Sequence, residues 1–441
     1  MQASSNRISR TVFASVCAAL LLFGGAPRSE AYAVLSHEAI IDAAWDTSIK
    51  PVLLARFPHA TPAELKIAHG YAYGGAIIQD MGYYPHGSKF VSDLTHYVRS
   101  GDFVMALLRD SHDDLNGYAF ALGALAHYAA DNDGHKIGTN RAVPVLYPKL
   151  AKKFGMSVTY EDDPLAHIKT EFGFDVIEVA QQRYAPDSYH EFIGFQVAGP
   201  LLEQAFQETY GLNLKSVLSD EERALSSYRH DVSTLLPKAT RIAWSLKHDE
   251  IMKDQPGITK RKFLYNLSRA SYEKEWGHDY QQPSFGDKFL AFLWRLVPKI
   301  GPLKVLQFRT PTPKTEKMFE ASFNATMDHY RGLLSRQAAG QLELPNDNFD
   351  TGEISGPGKY RLNDETHAAL LEALAGQNFA SAPADVRAEL LDFYSQPEAP
   401  YATKGNPKAW AKVQVELQQL KQAPPPVLST TTAVPVASGN Q

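Results

Sequence analysis

Cysteine is all but missing, since Cys17 is the only one in 441 residues. Internal disulfides and thiolate metal sites are therefore excluded, and a fold of this length must rely on its apolar core. Strand-type alternation is rare, and no long β-branched run is bounded by turn pairs, which argues against a sheet-based architecture. Basic runs are missing too. With 44 Lys and Arg against 49 Asp and Glu the net charge is −5, so strong electrostatic binding to nucleic acid is not indicated and no stable nucleic-acid partner is expected. No apolar run is long enough to span a bilayer. TVFASVCAALLLFGG, from Thr11, has about fifteen residues where a spanning helix needs about 20.

That run follows Arg7 and Arg10 and leads into APRSEAYA, whose small residues suit cleavage. It reads as a secretory signal peptide over residues 1–31, with an uncleaved anchor as the alternative, and makes the protein secreted or periplasmic. Removing it takes three positive charges (Arg7, Arg10, Arg28) and one negative (Glu30), moving the net charge from −5 to −7.

Helical periodicity dominates the remainder and predicts an all-α fold. Helices are expected at 36–46, 61–79, 101–110, 113–132, 145–154, 164–184, 188–210, 219–249 and 259–275, then around 285–299, 314–339, 363–374, 383–393 and 407–422. Residues 340–362 read as a polar loop, and 423–441 as a Pro/Thr/Ser tail unable to pack a core. The organisation is then a leader, a catalytic domain over 32–250, a helical extension over 251–422 and the tail.

One stretch does not fit a plain core helix. LAHYAADNDGHKIG, Leu125 to Gly138, places His127, Asp131 and His135 at intervals of four among apolar residues. His127 and Asp131 project from one helix face a turn apart, so imidazole nitrogen and carboxylate oxygen can converge on one cation. His135 lies eight residues from His127, about 12 Å along an ideal helix. That is too far to share the ion, and Asn132-Asp133-Gly134 suggests that the helix frays there. His135 therefore points to a second metal. HIKTEFGFD repeats the spacing with His167 and Glu171, and Asp175 continues the same edge. Asp80 ends the apolar run YAYGGAIIQD, His96 follows in SDLTHY, and His37 stands in SHEAI. Each piece has a bland alternative: a hydrogen-bonded core histidine, a surface ion pair, a helix cap. Their conjunction beside Ala, Gly and aromatic residues, where unpaired charge is costly, points to a multinuclear zinc site.

Over about residues 32–180 the chain resembles the zinc-dependent phospholipase C family, whose trinuclear-zinc helical fold is shared with fungal single-strand nucleases. GGAIIQDMGYYP resembles the segment with the metal-binding aspartate, DLTHY the next histidine motif, FALGALAHYAADNDGH the long helix with two histidines and an aspartate, and HIKTEFGFD the final histidine–acid pair. The first of these is closer to glycosylphosphatidylinositol phospholipase D than to the small secreted phosphatidylcholine enzymes. The eight-residue interval from His127 to His135 also departs from the ten of those small enzymes. The resemblance implies three zinc ions per chain. Asp80, His96, His127 and Asp131 would hold one; His135, His167 and Glu171 a second; His37 and the mature N-terminal amine and carbonyl a third, with Asp131 bridging. Counting back from His37 places that terminus at Tyr32, after Ala31; cleavage after Ala33 is the alternative.

The reading is phosphoester hydrolysis, because zinc lowers the pKa of water towards about 7 and neutralises phosphate charge. Asp80 would orient the water or take its proton. The expected substrate is a phospholipid headgroup ester or another phosphoester, reached through contact with a membrane surface. Tyr83, Tyr84 and Phe90 are candidate walls of a headgroup or glycerol pocket, with ordinary packing as the alternative. A single-strand nuclease or nucleotidase on the same scaffold, and a zinc-binding protein without turnover, are the rival functions. The sequence sets no oligomeric state, and residues beyond about 250 read equally as a helical cover for the site or a separate module.

Overall fold

The computed structural model describes residues 33–84, 86–180, 196–218, 220–230, 253 and 307–424. The leader, Tyr32, the helices expected at 259–275 and 285–299, and the tail from residue 425 lie outside these described residues.

The described chain is mostly helical, with a helical C-terminal region following the residues that carry the metal-site motifs. The helices run in order α1 Val34–Ala44, α2 Lys50–Arg56, α3 Pro62–Gly75, α4 Lys89–Tyr97, α5 Ser100–Asp110 and α6 Leu115–Asp133. They continue with α7 Asn140–Leu146, α8 Pro148–Phe154, α9 Pro164–Ala180, α10 Gly199–Tyr210, α11 Leu214–Leu218 and α12 Glu221–His230. The C-terminal set is α13 Pro313–Ala338, α14 Arg361–Ala375, α15 Ala384–Phe393 and α16 Pro407–Gln422. Among the described residues one antiparallel hairpin, β1 Asp347–Asn348 with β2 Glu353–Ile354, interrupts the helices.

The central element is α6. Asp114 caps it, its carboxylate accepting from the backbone N–H groups of Asn116 and Gly117, each at 3.0 Å. The sequence suggests one apolar stripe, but every residue from Gly117 to Asn132 is buried. A helix that is apolar all round has neighbours all round, and α3, α5, α1 and α13 pack against it. Glycines set the closest of these approaches. A Cβ on Gly123 would lie 2.1 Å from the Ala72 carbonyl oxygen, and one on Gly75 would lie 1.9 Å from that of Phe120. Gly123→Ala should therefore lower stability by about 1–3 kcal/mol, because the obstacle is backbone and no rotamer relieves it. Gly332→Ala is the control: Gly332 lies within α13 with nothing within 4 Å of the added methyl, and should gain about 0.5–1 kcal/mol. Urea unfolding of the two variants checks the opposite signs.

Two expected helices end differently in the structure. The 145–154 helix is split, because Pro148 lacks an N–H and holds Tyr147 out of the helical region at φ −123°, ψ 76°. The 61–79 helix stops at Gly75, and Ile78–Tyr83 forms a 3₁₀ turn. The α4 helix was not expected at all. Nor does α6 fray after Asp133: it runs on as a π-helical turn, Gly134–Thr139, and then into α7. Such wide turns are frequent at functional sites.

The C-terminal helices share one continuous apolar core with the N-terminal ones. Tyr330 on α13 donates to the Leu122 carbonyl on α6 at 2.9 Å. His329 meets Asp133 at 2.9 Å. Arg99 pairs with Glu389 at 3.0 Å and also with Asp385. The described part of this region thus packs directly on the helices that carry the metal-site motifs. No helix among the described residues is long and apolar enough to cross a membrane.

Candidate metal centre

The close α3–α6 approach places the Ala76 carbonyl against His127, whose Nδ1 lies 2.9 Å from it. His127 Nδ1–H donates there, leaving the Nε2 lone pair facing inward. The same device recurs. His96 Nδ1 faces the Ser92 carbonyl one turn back at 2.7 Å, and His135 Nδ1 faces the Phe349 carbonyl at 2.7 Å. In His167 the roles of the nitrogens are reversed: Nε2 donates to Asn140 Oδ1 at 2.9 Å, and Nδ1 points inward.

The inward atoms fall into three groups, each with its ligand atoms within 4.8 Å of one another: Asp80 with His96 and His127, His37 with His127 and Asp131, and His135 with His167 and Glu171. Asp131 stands between the first two. Its Oδ2 lies 3.2 Å from His127 Nε2 and 3.4 Å from His96 Nε2, while Oδ1 lies 3.5 Å from His37 Nε2. Asp80 Oδ1 is 3.2 Å from His96 Nε2. In the third group Glu171 Oε1 is 2.9 Å from His167 Nδ1 and 3.6 Å from His135 Nε2. The π-helical turn lets His135 leave the α6 face and meet His167 on α9.

These residues are at most 2% exposed. Both oxygens of Asp80 and of Asp131, Nε2 of His96, His127 and His135, Nδ1 of His167 and Oε1 of Glu171 are nevertheless buried without a hydrogen-bond partner. A fold that pairs the outer nitrogen of each of these four rings and orphans the inner one is costly unless something else occupies the centre. Zinc fits. Tetrahedral ligands at about 2.0–2.1 Å from an ion stand roughly 3.3–3.4 Å apart, close to most of the separations above.

Burial lowers His37 to about 3 and His167 to about 4, and raises Glu171 to about 8 and Asp80 above its ordinary range. Burial would raise Asp131 as well, but His127, His96 and His37 hold it well below the usual carboxylate range. Burial disfavours charge on His96, yet Asp131 and Asp80 outweigh it and bring this ring up to about 10. The centre therefore calls for positive charge: a proton in the metal-free chain, or a divalent cation in its place.

The remaining sequence-selected residues divide. Asp175 does not join a metal group; its carboxylate accepts from Leu35 N at 3.1 Å and Ser36 Oγ at 2.8 Å, fixing the start of the helix that carries His37. Tyr83 is buried, with its ring 5.6 Å from that of His96, while Tyr84 and Phe90 are half-buried against the core. A cleft of about 390 Å³ is lined by His86, Gly87, Ser88, Val217, Leu218, Asp220 and Arg223, by none of these three aromatic residues and by none of the metal-group residues. Tyr32 lies outside the described residues. Sequence reading missed Asn140, Phe349 and Asp350, which hold the outer faces of His135 and His167; no spacing signal marks them.

Residues 36–220 match the family model described as zinc dependent phospholipase C. The match begins one residue before His37 and extends beyond the resemblance seen in the sequence. No curated protein and no solved structure matches the chain.

Proposed function

From the premise that residues 36–220 are a zinc-dependent phospholipase C family domain, we propose that the protein hydrolyses phospholipid headgroup esters at a centre of three zinc ions. The observation that carries this reading is the set of buried, orphaned lone pairs converging in three groups, two of which share His127 and have Asp131 standing between them. One or two structural ions would not need a shared carboxylate, and the family supplies the phosphoester chemistry.

Zinc, when bound, supplies Lewis acidity towards phosphate oxygens and makes water acidic enough to react at neutral pH. The chain supplies the rest. Asp80, His96, His127 and Asp131 form one ligand set, His135, His167 and Glu171 a second, and His37 with Asp131 and the mature N-terminus a third. Asp131 presents one oxygen to each of two sets. Asp80, placed beside His96 on the 3₁₀ turn, orients the attacking water and takes its proton. The products are diacylglycerol and a phosphorylated headgroup, and the enzyme meets its substrate at a membrane surface. Tyr83, Tyr84 and Phe90 are the residues this reading gives to the wall of a headgroup or glycerol pocket.

The assay is a panel on zinc-loaded full-length protein: a chromogenic phosphocholine ester, phospholipid vesicles and single-stranded DNA. Hydrolysis of the first two supports the reading. Turnover of DNA alone would move the assignment to a nuclease, and zinc without any turnover would make this a binding protein.

Processing and chemistry meet at Tyr32. A free α-amino group titrates near pH 7.7–8.0, so a metal readily displaces its proton. Exported protein should begin at Tyr32, and one alanine added before it should weaken a single zinc site and reduce turnover. N-terminal sequencing and zinc analysis check both halves. A start at Val34 with full activity would remove the N-terminal ligand and leave the other two sets standing.

A further inference from the structure

The β1–β2 loop lies far outside the family match, yet it touches the outer face of His135 directly and reaches that of His167 through Asn140. Asn348 Oδ1 accepts from the backbone N–H of Asp350 at 3.0 Å and Thr351 at 3.2 Å, and Gly352 closes the turn at φ +61°. A Cβ on Gly352 would sit 2.4 Å from the Asn132 carbonyl oxygen, so the loop lies directly on the end of α6. Phe349 is fully buried, and its N–H donates to the His96 carbonyl at 3.1 Å.

Resting on the metal-centre reading above, we propose that the Phe349–Asp350 segment is a positioning element that sets the tautomers of His135 and His167 for the metal they share with Glu171. For His135 the action is direct. Its Nδ1 faces the Phe349 carbonyl at 2.7 Å, with Asp350 Oδ1 3.4 Å away, so the ring proton is held at Nδ1 and Nε2 is left open. Asp350 is itself fixed, because its Oδ2 accepts from Tyr97 at 2.9 Å and from Tyr360. For His167 the action passes through Asn140. The Asn140 amide donates from Nδ2 to the Asp350 carbonyl at 2.7 Å, which settles which way the amide faces. Its Oδ1 is thereby turned to accept from His167 Nε2 at 2.9 Å, leaving Nδ1 open. Without that carbonyl the amide is free to turn its NH₂ group to the ring. The ring proton would then move to Nδ1, the atom that faces Glu171. One loop thus imposes opposite tautomers on two rings so that both lone pairs face one point.

Outer-sphere partners of this kind are typically worth 10–100-fold in metal affinity. Asp350→Asn keeps the volume but removes the charge, and should lose about 10–100-fold in affinity for one of the zinc ions while the others bind as before. Chelator competition on the full chain reads this. The absorption spectrum of the cobalt-loaded protein and the ¹⁵N shifts of the histidine rings give readouts independent of activity. Tyr360→Phe, which removes one donor to Asp350 and no metal neighbour, should weaken the same ion to a smaller extent and serves if Asp350→Asn does not fold. Unchanged affinity for every ion with unchanged ring shifts would overturn the loop's role, as would a lowered melting temperature with no selective loss of one ion. Absence of any ion at His135, His167 and Glu171 in the unmodified protein is a different result and would remove the metal reading itself.

Discussion

Asp131→Asn should release more than one zinc ion per chain and reduce phosphoester hydrolysis to below about a hundredth of the unmodified rate. Two separate neighbourhoods depend on the one side chain: Oδ1 faces His37, and Oδ2 faces His96 and His127. Asparagine keeps the volume, so α6 still packs, but the amide nitrogen has no lone pair to offer and the negative charge is gone. Whichever way the amide turns, one neighbourhood loses its carboxylate ligand and the other keeps only a neutral oxygen. Elemental analysis and a hydrolysis assay on the same preparation check it, with helical circular dichroism confirming the fold. Loss of one ion only would end the bridging role and leave Asp131 as an ordinary ligand.

The side chains that the fold gathers into these groups were partly legible because helical spacing is a local rule. His127 with Asp131, and His167 with Glu171, are each one turn apart, and a turn of α-helix fixes their direction without tertiary information. The way His135 reaches His167 was not legible, because a π-helical turn carries no spacing signature and Asn-Asp-Gly reads as a frayed end. The α4 helix was missed for another reason: its apolar positions Phe90, Val91, Leu94 and Tyr97 cover too few residues for periodicity to register. The largest omission is the loop at 349–350. NDNFDTGEISG is polar and rich in turn formers, so its composition matches an exposed connection. Asn348 and Asp350 are in fact buried at 3% and 0% exposure. The cost of burying Asp350 is offset by hydrogen bonds from Tyr97, Tyr360 and Asn140, partners found only once the chain has folded.

The His167–Glu171 pair gives the second large effect, and its sign on stability should depend on metal. If the pair were a surface ion pair, replacing Glu171 would cost about half a kcal/mol and leave activity untouched. The structure instead buries Glu171 at 2% exposure with its Oε1 unpaired and 2.9 Å from His167 Nδ1. Burial raises its carboxyl to about 8. In metal-free protein the folded state therefore binds a proton more tightly than the unfolded chain, and stability falls as pH rises from the ordinary carboxylate range to about 8. His167, lowered to about 4, pulls the other way below its ordinary value of 6.5, while His96, raised to about 10, and Asp175, raised to about 8, add to the fall above it. The share of Glu171 is therefore the difference between the variant and the unmodified protein from pH 6.5 to 8. Glu171→Gln should flatten that fall and leave the metal-free protein no less stable near pH 8. With zinc present the order reverses. An ion that binds only the folded chain adds about 2.7 kcal/mol at a hundred times its dissociation constant, and the variant forgoes whatever its lost ion contributes. Glu171→Gln should thus melt below the unmodified protein in zinc, match or exceed it in chelator near pH 8, lose one ion and lose hydrolysis. Thermal melts in both conditions test the crossing directly, and parallel curves with full turnover would show that this buried pair holds no metal.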